Sequence, residues 1–296
     1  MMDTPRPAQP PDRYAVLGHP VAHSQSPFIH AEFARQTGEA IVYGRVESPL
    51  DAFEATVRAF IASGDAASGP GSARGCNITV PFKFQVLPLA QRASARALLA
   101  QAANVLRFDA DGWWADNTDG TGLVRDIQQH AGLKLTGQRL LLIGAGGAAA
   151  GVLGPLIEAG CQAITVANRT TAKAVDLVQR HAAWGHQHGV ALTATGLADA
   201  GEAYDVVINS SASSLAGAGV PVAPAVLKPG ALAIDLMYGP AALPFLDWAS
   251  AHGATGRDGL GMLVEQAAGA FLLWRGVMPH TPPVLAALRK KLQAKG

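Results

Sequence analysis

Leu140-Leu141-Leu142-Ile143-Gly144-Ala145-Gly146-Gly147-Ala148-Ala149-Ala150-Gly151 is the stretch on which the fold turns. Four aliphatic residues in succession read as a strand buried on both faces, the pattern of a parallel sheet. Glycines follow at once, and from Ala148 through Leu153, Leu156 and Ile157 the apolar spacing is helical. A G-x-G-x-x-G/A pattern gains meaning between a strand and a helix; its three positions here are Gly144, Gly146 and Ala149. Small residues at such a turn let a pyrophosphate approach the backbone N–H groups and the positive end of the helix. Gly144, Ala145, Gly146, Gly147 and Ala148 are therefore candidate cofactor contacts. The plainer use of the same residues is an ordinary tight strand-to-helix turn.

The next segment narrows the cofactor. Gly160 reads as the helix stop and Ala163-Ile164-Thr165-Val166 as a second strand. Units that bind NAD usually end this strand with an acid that grips the ribose 2′-hydroxyl. Here it ends in Asn168-Arg169-Thr170, with Lys173 a helical turn further on. An acid repels a 2′-phosphate, whereas Arg169 forms a fork on it. The expected cofactor is NADP, with Asn168, Arg169, Thr170 and Lys173 as contacts.

The 296 residues suffice for two domains of about 150. Apolar residues make up 49% and charged ones only 15%, which supports a large core and argues against disorder. A net charge of +1 with scattered basic residues speaks against nucleic acid or an anionic membrane as partner. No apolar run approaches a membrane span. Residues 1–13 are Pro-rich and lack an apolar core, so a disordered tail is expected rather than a signal peptide. Cys76 and Cys161 lie far apart and suggest neither zinc nor a disulfide framework, which fits a reducing cytoplasm. His186 and His188 flank Gln187 in an expected loop, and no metal site is read there.

In chain order, Tyr14–Gly18 reads as a strand, and Ser26 as the N-cap of a helix that begins at Pro27 and stops at Gly38. Ser24 and Ser26, two apart in an extended segment, turn their hydroxyls to one side, where they can hold a carboxylate. Residues 41–46 read as a strand, 50–62 as an amphipathic helix, and Ser63–Gly75 as a loop. Asn77, Thr79 and Pro81 alternate along a strand that presents Lys83 at its end. A helix is expected from Leu87 to Leu99, then a hairpin across Asp109–Gly112. Asp116-Asn117-Thr118-Asp119-Gly120 opens a helix; one acid there can be a cap, but hardly both. Asp205–Asn209 and Ala231–Tyr238 read as two further strands.

The chain resembles the shikimate dehydrogenase family. The likeness rests on His23-Ser24-Gln25-Ser26-Pro27, Asn77-Ile78-Thr79-Val80-Pro81-Phe82-Lys83 and Asp116-Asn117-Thr118-Asp119-Gly120 on the substrate side. Gly144-Ala145-Gly146-Gly147-Ala148, Asn168-Arg169-Thr170 and the run from Gly259 to Ala267 complete it. The resemblance implies a two-domain α/β protein: an α/β substrate domain and a Rossmann-type, doubly wound NADP-binding domain. Residues 14–118 and the C-terminal helices of 260–290 would form the first, and 119–259 the second. It further implies reversible reduction of 3-dehydroshikimate to shikimate with NADPH, in chorismate and aromatic amino-acid biosynthesis. On this likeness Lys83 and Asp119 are the catalytic pair, meeting across the cleft from different lobes. Ser24, Ser26, Thr79, Asn104, Tyr238 and Gln266 bind the substrate, and Leu236 and Gly259 join the cofactor contacts. Departures from the family pattern are Ala95, Val105, Leu243 and the loop Ser210–Leu215. A small-molecule substrate and a monomer or homodimer are expected.

Oxidising a secondary alcohol removes a hydride and a proton, and some protein group must take the proton. Lysine is ordinarily protonated near neutrality. Lys83 can therefore exchange that proton or act as a fixed cation on the reacting oxygen. A quinate/shikimate dehydrogenase with relaxed cofactor use and a non-catalytic nucleotide-binding paralogue are the alternatives.

Overall fold

The computed structural model describes residues 10–63, 71–211 and 220–294. Most of the expected N-terminal tail, part of the loop expected over Ser63–Gly75 and residues 212–215 lie outside them. The first sheet begins with β1 (Asp12–Gly18), followed by α1 (Ser26–Thr37), β2 (Ile41–Glu47), α2 (Phe53–Ala62) and β3 (Ala73–Ile78). Then come β4 (Arg92–Ala93), α3 (Ala95–Ala100), β5 (Val105–Asp109) and β6 (Gly112–Asp116). The strand order is β2-β1-β3-β5-β6-β4.

The helix α4 (Asp119–Arg125), prolonged by a π-turn over Asp126–His130, leads to the second sheet. Its elements are β7 (Arg139–Ile143), α5 (Gly147–Glu158), β8 (Ala163–Ala167), α6 (Thr171–Gln187), β9 (Ala191–Thr195) and β10 (Tyr204–Asn209). β11 (Leu227–Asp235), α7 (Leu243–Ala251) and β12 (Thr255–Arg257) complete it, and α8 (Leu260–Arg275) and α9 (Thr281–Gln293) end the chain. All six strands are parallel, in the order β12-β11-β10-β7-β8-β9. The order reverses between β7 and β10, the crevice where doubly wound sheets take their ligands.

The aliphatic run of β7 explains why this sheet is covered twice. Leu140 and Leu142 enter one core with Leu153, Leu156 and Ile164, while Leu141 and Ile143 enter another with Val207 and Phe245. Each such side chain, fully buried, contributes about 1.5–3 kcal/mol. The first sheet has its own core around Leu17, Ile78, Phe82 and Leu106. A fourth cluster joins Ile29 and Phe33 of α1 to Val264, Phe271 and Leu288 of α8 and α9.

Local structure departs from the sequence reading in five places. The helix expected over Leu87–Leu99 is a short 3-10 turn at Leu87–Leu89, the strand β4 and then α3. Ser94 sets that late start, its hydroxyl accepting the Ala97 N–H at 3.2 Å. Ser26 is the first helical residue and not the cap, which falls on Gln25. Ala73–Gly75, read as loop, belong to β3. β11 ends at Asp235, which leaves Leu236 and Tyr238 in the connection beyond it. His186, read as loop, lies in the last turn of α6.

Candidate active site

Strand direction assembles the site. β1 and β3 are parallel, and β5 runs antiparallel to both β3 and β6. The C-terminal ends of β1, β3 and β6 and the start of β5 therefore share one sheet edge. Ser24 and Ser26 follow β1, Lys83 follows β3, Asn104 precedes β5 and Asp119 follows β6. Lys83 and Asp119 thus both hang from the first sheet. The sequence reading had set them on different lobes; the β5–β6 hairpin brings Asp119 back to the strand that carries Lys83.

Lys83 sits in a 3-10 turn, Phe82–Gln85, and not at the strand end proper. Phe82 anchors that turn, fully buried and stacked on Phe53 with centroids 4.7 Å apart. The Lys83 carbonyl accepts the Ala103 N–H at 3.0 Å, which ties the turn to the start of β5. The Lys83 Nζ is hydrogen-bonded to Asp119 Oδ2. The side chains are only 14% and 5% exposed, so water screens the pair little. Asp119 Oδ1 accepts from Asn104 Nδ2 at 2.8 Å, and the Asp119 N–H donates to Asn117 Oδ1 at 3.1 Å. Asn104 Nδ2 also reaches Gln266 Oε1 at 3.0 Å, joining α8 to the cluster. Its own oxygen accepts the Thr118 N–H at 2.8 Å.

Asp116 is occupied otherwise. Arg96 grips it with two bonds, 2.7 and 2.6 Å, and its Oδ1 accepts the Asn117 N–H at 2.7 Å. Burial pushes its carboxyl up, but Arg96, Ser94 and the Asn117 N–H outweigh burial and hold it below the usual carboxylate range. Of the two acids in the motif, one is structural and one faces lysine.

The serines lie together, Ser24 Oγ 3.2 Å from Ser26 Oγ. Arg45 grips the Ser24 carbonyl at 3.0 and 2.5 Å, so a guanidinium braces a turn read from sequence as uncharged. Tyr238 reaches the same turn from the second sheet. Burial raises its phenol pKa, opposed by the Gln25 backbone N–H and the Arg45 charge. Thr79 is partly buried at the end of β3, and its N–H donates to the Leu17 carbonyl at 2.9 Å.

On the second sheet, Gly144 ends β7 with φ +109°, and a Cβ there would lie 2.7 Å from Ser210 Oγ. Both demands call for glycine. The constraint on Gly144 thus comes from the end of β10, and not from a ligand alone. Ala145 and Gly146 lead into α5, which starts at Gly147 and continues with Ala148. The Cβ position of Gly147 is 3.3 Å from Lys83 Cβ, so the glycine turn lies against the lysine stem. Asn168 Nδ2 donates to the Thr170 carbonyl at 2.9 Å and shapes the turn after β8. Arg169, Thr170 and Lys173 are exposed at the start of α6. The Arg169 guanidinium pairs with no carboxylate among the described residues. The Leu236 N–H donates to the Asn209 carbonyl at 2.9 Å and the Gly259 N–H to the Met237 carbonyl at 2.8 Å, which sets both beside the crevice. Leu243 opens α7, half exposed. No cluster of potential metal ligands occurs among the described residues.

Sequence reading did not single out Asn77 as a contact, nor Tyr43, Arg45 or Arg96. Asn77 stood inside a quoted motif. The other three carry no local signal: strand pairing brings Tyr43 and Arg45 of β2 to the edge, and the packing of α3 brings Arg96 to Asp116.

Family models described as the shikimate dehydrogenase substrate-binding domain, shikimate/quinate 5-dehydrogenase and the shikimate 5′-dehydrogenase C-terminal domain match residues 16–106, 126–219 and 259–289. The chain is 64% identical over 282 residues to a shikimate dehydrogenase (NADP(+)) of Methylibium petroleiphilum, covering 95% of each. Among solved structures it is similar to an Ael1 enzyme from Pseudomonas putida, with 42% identity and TM-score 0.82, over 94% of this chain and 98% of that one. It is also similar to shikimate 5-dehydrogenase from Thermus thermophilus in complex with NADP(H) and shikimate. There the identity is 29% and the TM-score 0.75, over 95% of this chain and 100% of that one. The parallel second sheet with its glycine turn, the lysine–aspartate pair on the first and these likenesses agree: the chain belongs to the shikimate dehydrogenase family.

Proposed function

We propose that this protein reversibly reduces 3-dehydroshikimate to shikimate with NADPH. The observation that carries this reading is the enclosed Lys83–Asp119 pair, seated where the glycine turn of the second sheet meets the first. NADP fits the residues present: a glycine turn at the start of α5, and an exposed Arg169 and Lys173 beyond β8. When bound, the cofactor supplies or accepts the hydride.

The chain's own residues do the rest. In the reductive direction the Lys83 ammonium donates a proton to the oxygen that becomes the alcohol; in the oxidative direction the amine takes it back. Asp119 holds the ammonium in place and accepts from a substrate hydroxyl. Asn104 braces Asp119, and Asn104, Thr79 and Gln266 bind hydroxyls or the rim of the carboxylate. Ser24 and Ser26 hold the carboxylate, with Tyr238 closing over them from the other sheet. Gly144 to Ala148 contact the pyrophosphate, Leu236 and Gly259 border the nicotinamide, and Asn168, Arg169, Thr170 and Lys173 hold the 2′-phosphate side.

We assign residues 14–118 and 260–290 to the substrate lobe and 119–259 to the cofactor lobe, save that Asp119, at their border, hangs from the first sheet with Lys83. No helix among the described residues is long and apolar enough to cross a membrane. Both cysteines are free and buried, in keeping with a cytoplasmic enzyme. It acts as a monomer or homodimer on a small-molecule substrate, without nucleic acid.

Absorbance at 340 nm with shikimate and NADP+ tests the activity. The same assay with quinate and NAD+ tests relaxed specificity, and absence of any turnover rejects catalysis altogether. Arg169→Ala is expected to raise the KM for NADPH roughly 10- to 100-fold and leave that for NADH nearly unchanged, as loss of a charge-assisted fork requires. Equal losses with both cofactors remove the 2′-phosphate assignment.

A further inference from the structure

The two serines proposed to hold the substrate's carboxylate are neutral. A charge that answers the carboxylate stands on β2. Successive strand residues alternate between faces, so Tyr43, Arg45 and Glu47 share one face of β2. That face lies under α1, where the Tyr43 ring stacks on His30 with centroids 4.1 Å apart. α1 returns the chain from β1 to the parallel strand β2 and so runs against both. Two residues beyond Tyr43 the strand therefore reaches the start of α1, and Arg45 emerges there.

Arg45 Nε and Nη2 both donate to the Ser24 carbonyl, at 3.0 and 2.5 Å. The hydroxyl of the same serine lies 3.2 Å from Ser26 Oγ and accepts the Ser26 N–H at 3.3 Å. One residue thus carries the guanidinium on its carbonyl and half of the hydroxyl pair on its side chain. An anion seated on the hydroxyls lies inside the Debye length of that guanidinium, about 10 Å at 0.1 M salt.

Among the described residues no carboxylate pairs with Arg45. Glu47, its neighbour on the same face, pairs instead with His19 Nδ1 at 3.3 Å. A second cation flanks the turn, as Lys291 of α9 donates to Gln25 Oε1 at 3.2 Å. The Ser24 carbonyl takes up two N–H bonds but carries no charge to cancel the guanidinium. That charge is left to solvent and to whatever the serines bind. Arg45 is exposed, so its attraction is modest and sensitive to salt.

We propose that Arg45 supplies positive charge for the substrate's carboxylate, acting on the bound acid through its field as well as bracing the turn that carries the serines. This rests on the shikimate reading above and adds the charged group to its carboxylate site.

Steady-state kinetics of the full-length enzyme with shikimate and NADP+, at about 20 mM and about 500 mM salt, separate charge from bracing. Arg45→Gln keeps an amide N–H for the Ser24 carbonyl and removes the charge. At low salt its KM for shikimate is expected about three- to fivefold above wild type, the scale of an exposed charge pair. Its kcat should stay within about twofold and its KM for NADP+ unchanged, as loss of a substrate-binding interaction requires. At high salt the gap in KM should close to less than about 1.5-fold, because ions screen the wild-type charge. Arg45→Lys keeps the charge and loses the fork, and at low salt its KM should stay within about 1.5-fold of wild type. An unchanged KM in Arg45→Gln at low salt overturns the proposal. A gap that persists at high salt, or that Arg45→Lys shows in full, marks a brace alone and overturns it too. A wild-type enzyme inactive on shikimate overturns the functional reading itself, and this one with it.

Discussion

Lys83→Ala lowers kcat at least ~100-fold while the KM for shikimate changes little; this is the expected result at the low end for a general acid–base group. The split between the two constants follows from geometry. The carboxylate and hydroxyl contacts proposed above are Ser24, Ser26, Asn104 and Gln266, and Lys83 supports none of them by a hydrogen bond. Its charged partner is Asp119, whose Oδ1 is held by Asn104 and whose backbone N–H is held by the Asn117 side-chain oxygen. Removing the ammonium thus leaves the binding groups in place and takes away the proton carried to and from the reacting oxygen. Steady-state kinetics in both directions measure it. Turnover within about threefold of wild type would remove Lys83 from the chemistry. A large rise in KM at constant kcat would recast it as a binding residue.

Gly261→Ala should lower the melting temperature by roughly 5–15 °C, from about 3–5 kcal/mol lost when a buried ion pair is broken. Gly261 lies in the first turn of α8, and a Cβ there would lie 1.7 Å from Asp126 Oδ1 and 2.3 Å from its Cγ. The carboxylate cannot easily give way. Asp126 is fully buried and accepts from both Arg257 Nε, at 2.8 Å, and Arg257 Nη2. Those bonds raise the Arg257 pKa. The pair ties the end of α4 to β12, and α8 closes over it. An added methyl must either push the carboxylate off Arg257 or separate the two helices that cross between the sheets. Gln266 lies further along α8, so a shifted helix would also disturb its proposed contact with shikimate. Thermal unfolding followed by circular dichroism is the measurement, and an unchanged transition would show that the contact is not tight.

The cofactor half was the more legible of the two, and its residues show why. Leu140–Ile143, the glycines after them and Asn168–Arg169–Thr170 lie within a single strand–helix–strand unit. The whole phosphate-binding device proposed above is therefore local in sequence. The substrate half was legible only as motifs with implied roles. Ser24, Lys83, Asn104 and Asp119 come from four connections, and nothing in their spacing states that one sheet edge gathers them. The misread helix at Leu87–Leu99 has the same origin. Its apolar pattern is helical, but pairing of Arg92–Ala93 with β6 and capping by Ser94 interrupt it. Asp116 and Asp119 look alike as sequence; the Arg96 guanidinium and the Lys83 ammonium tell them apart.

By itself, then, the sequence determined the parallel, doubly covered second sheet, the glycine turn and the choice of a cation over an acid after β8. Each depends on residues within a few positions of one another, where periodicity and backbone conformation act directly. Only the tertiary structure decided that Arg96 occupies the other acid, Asp116, that both partners of the Lys83–Asp119 pair hang from the first sheet, and that Tyr43 and Arg45 lie behind the site. Those facts follow from strand direction and register, which place residues far apart in the chain within hydrogen-bonding distance, and such distances are set by packing across the whole sheet.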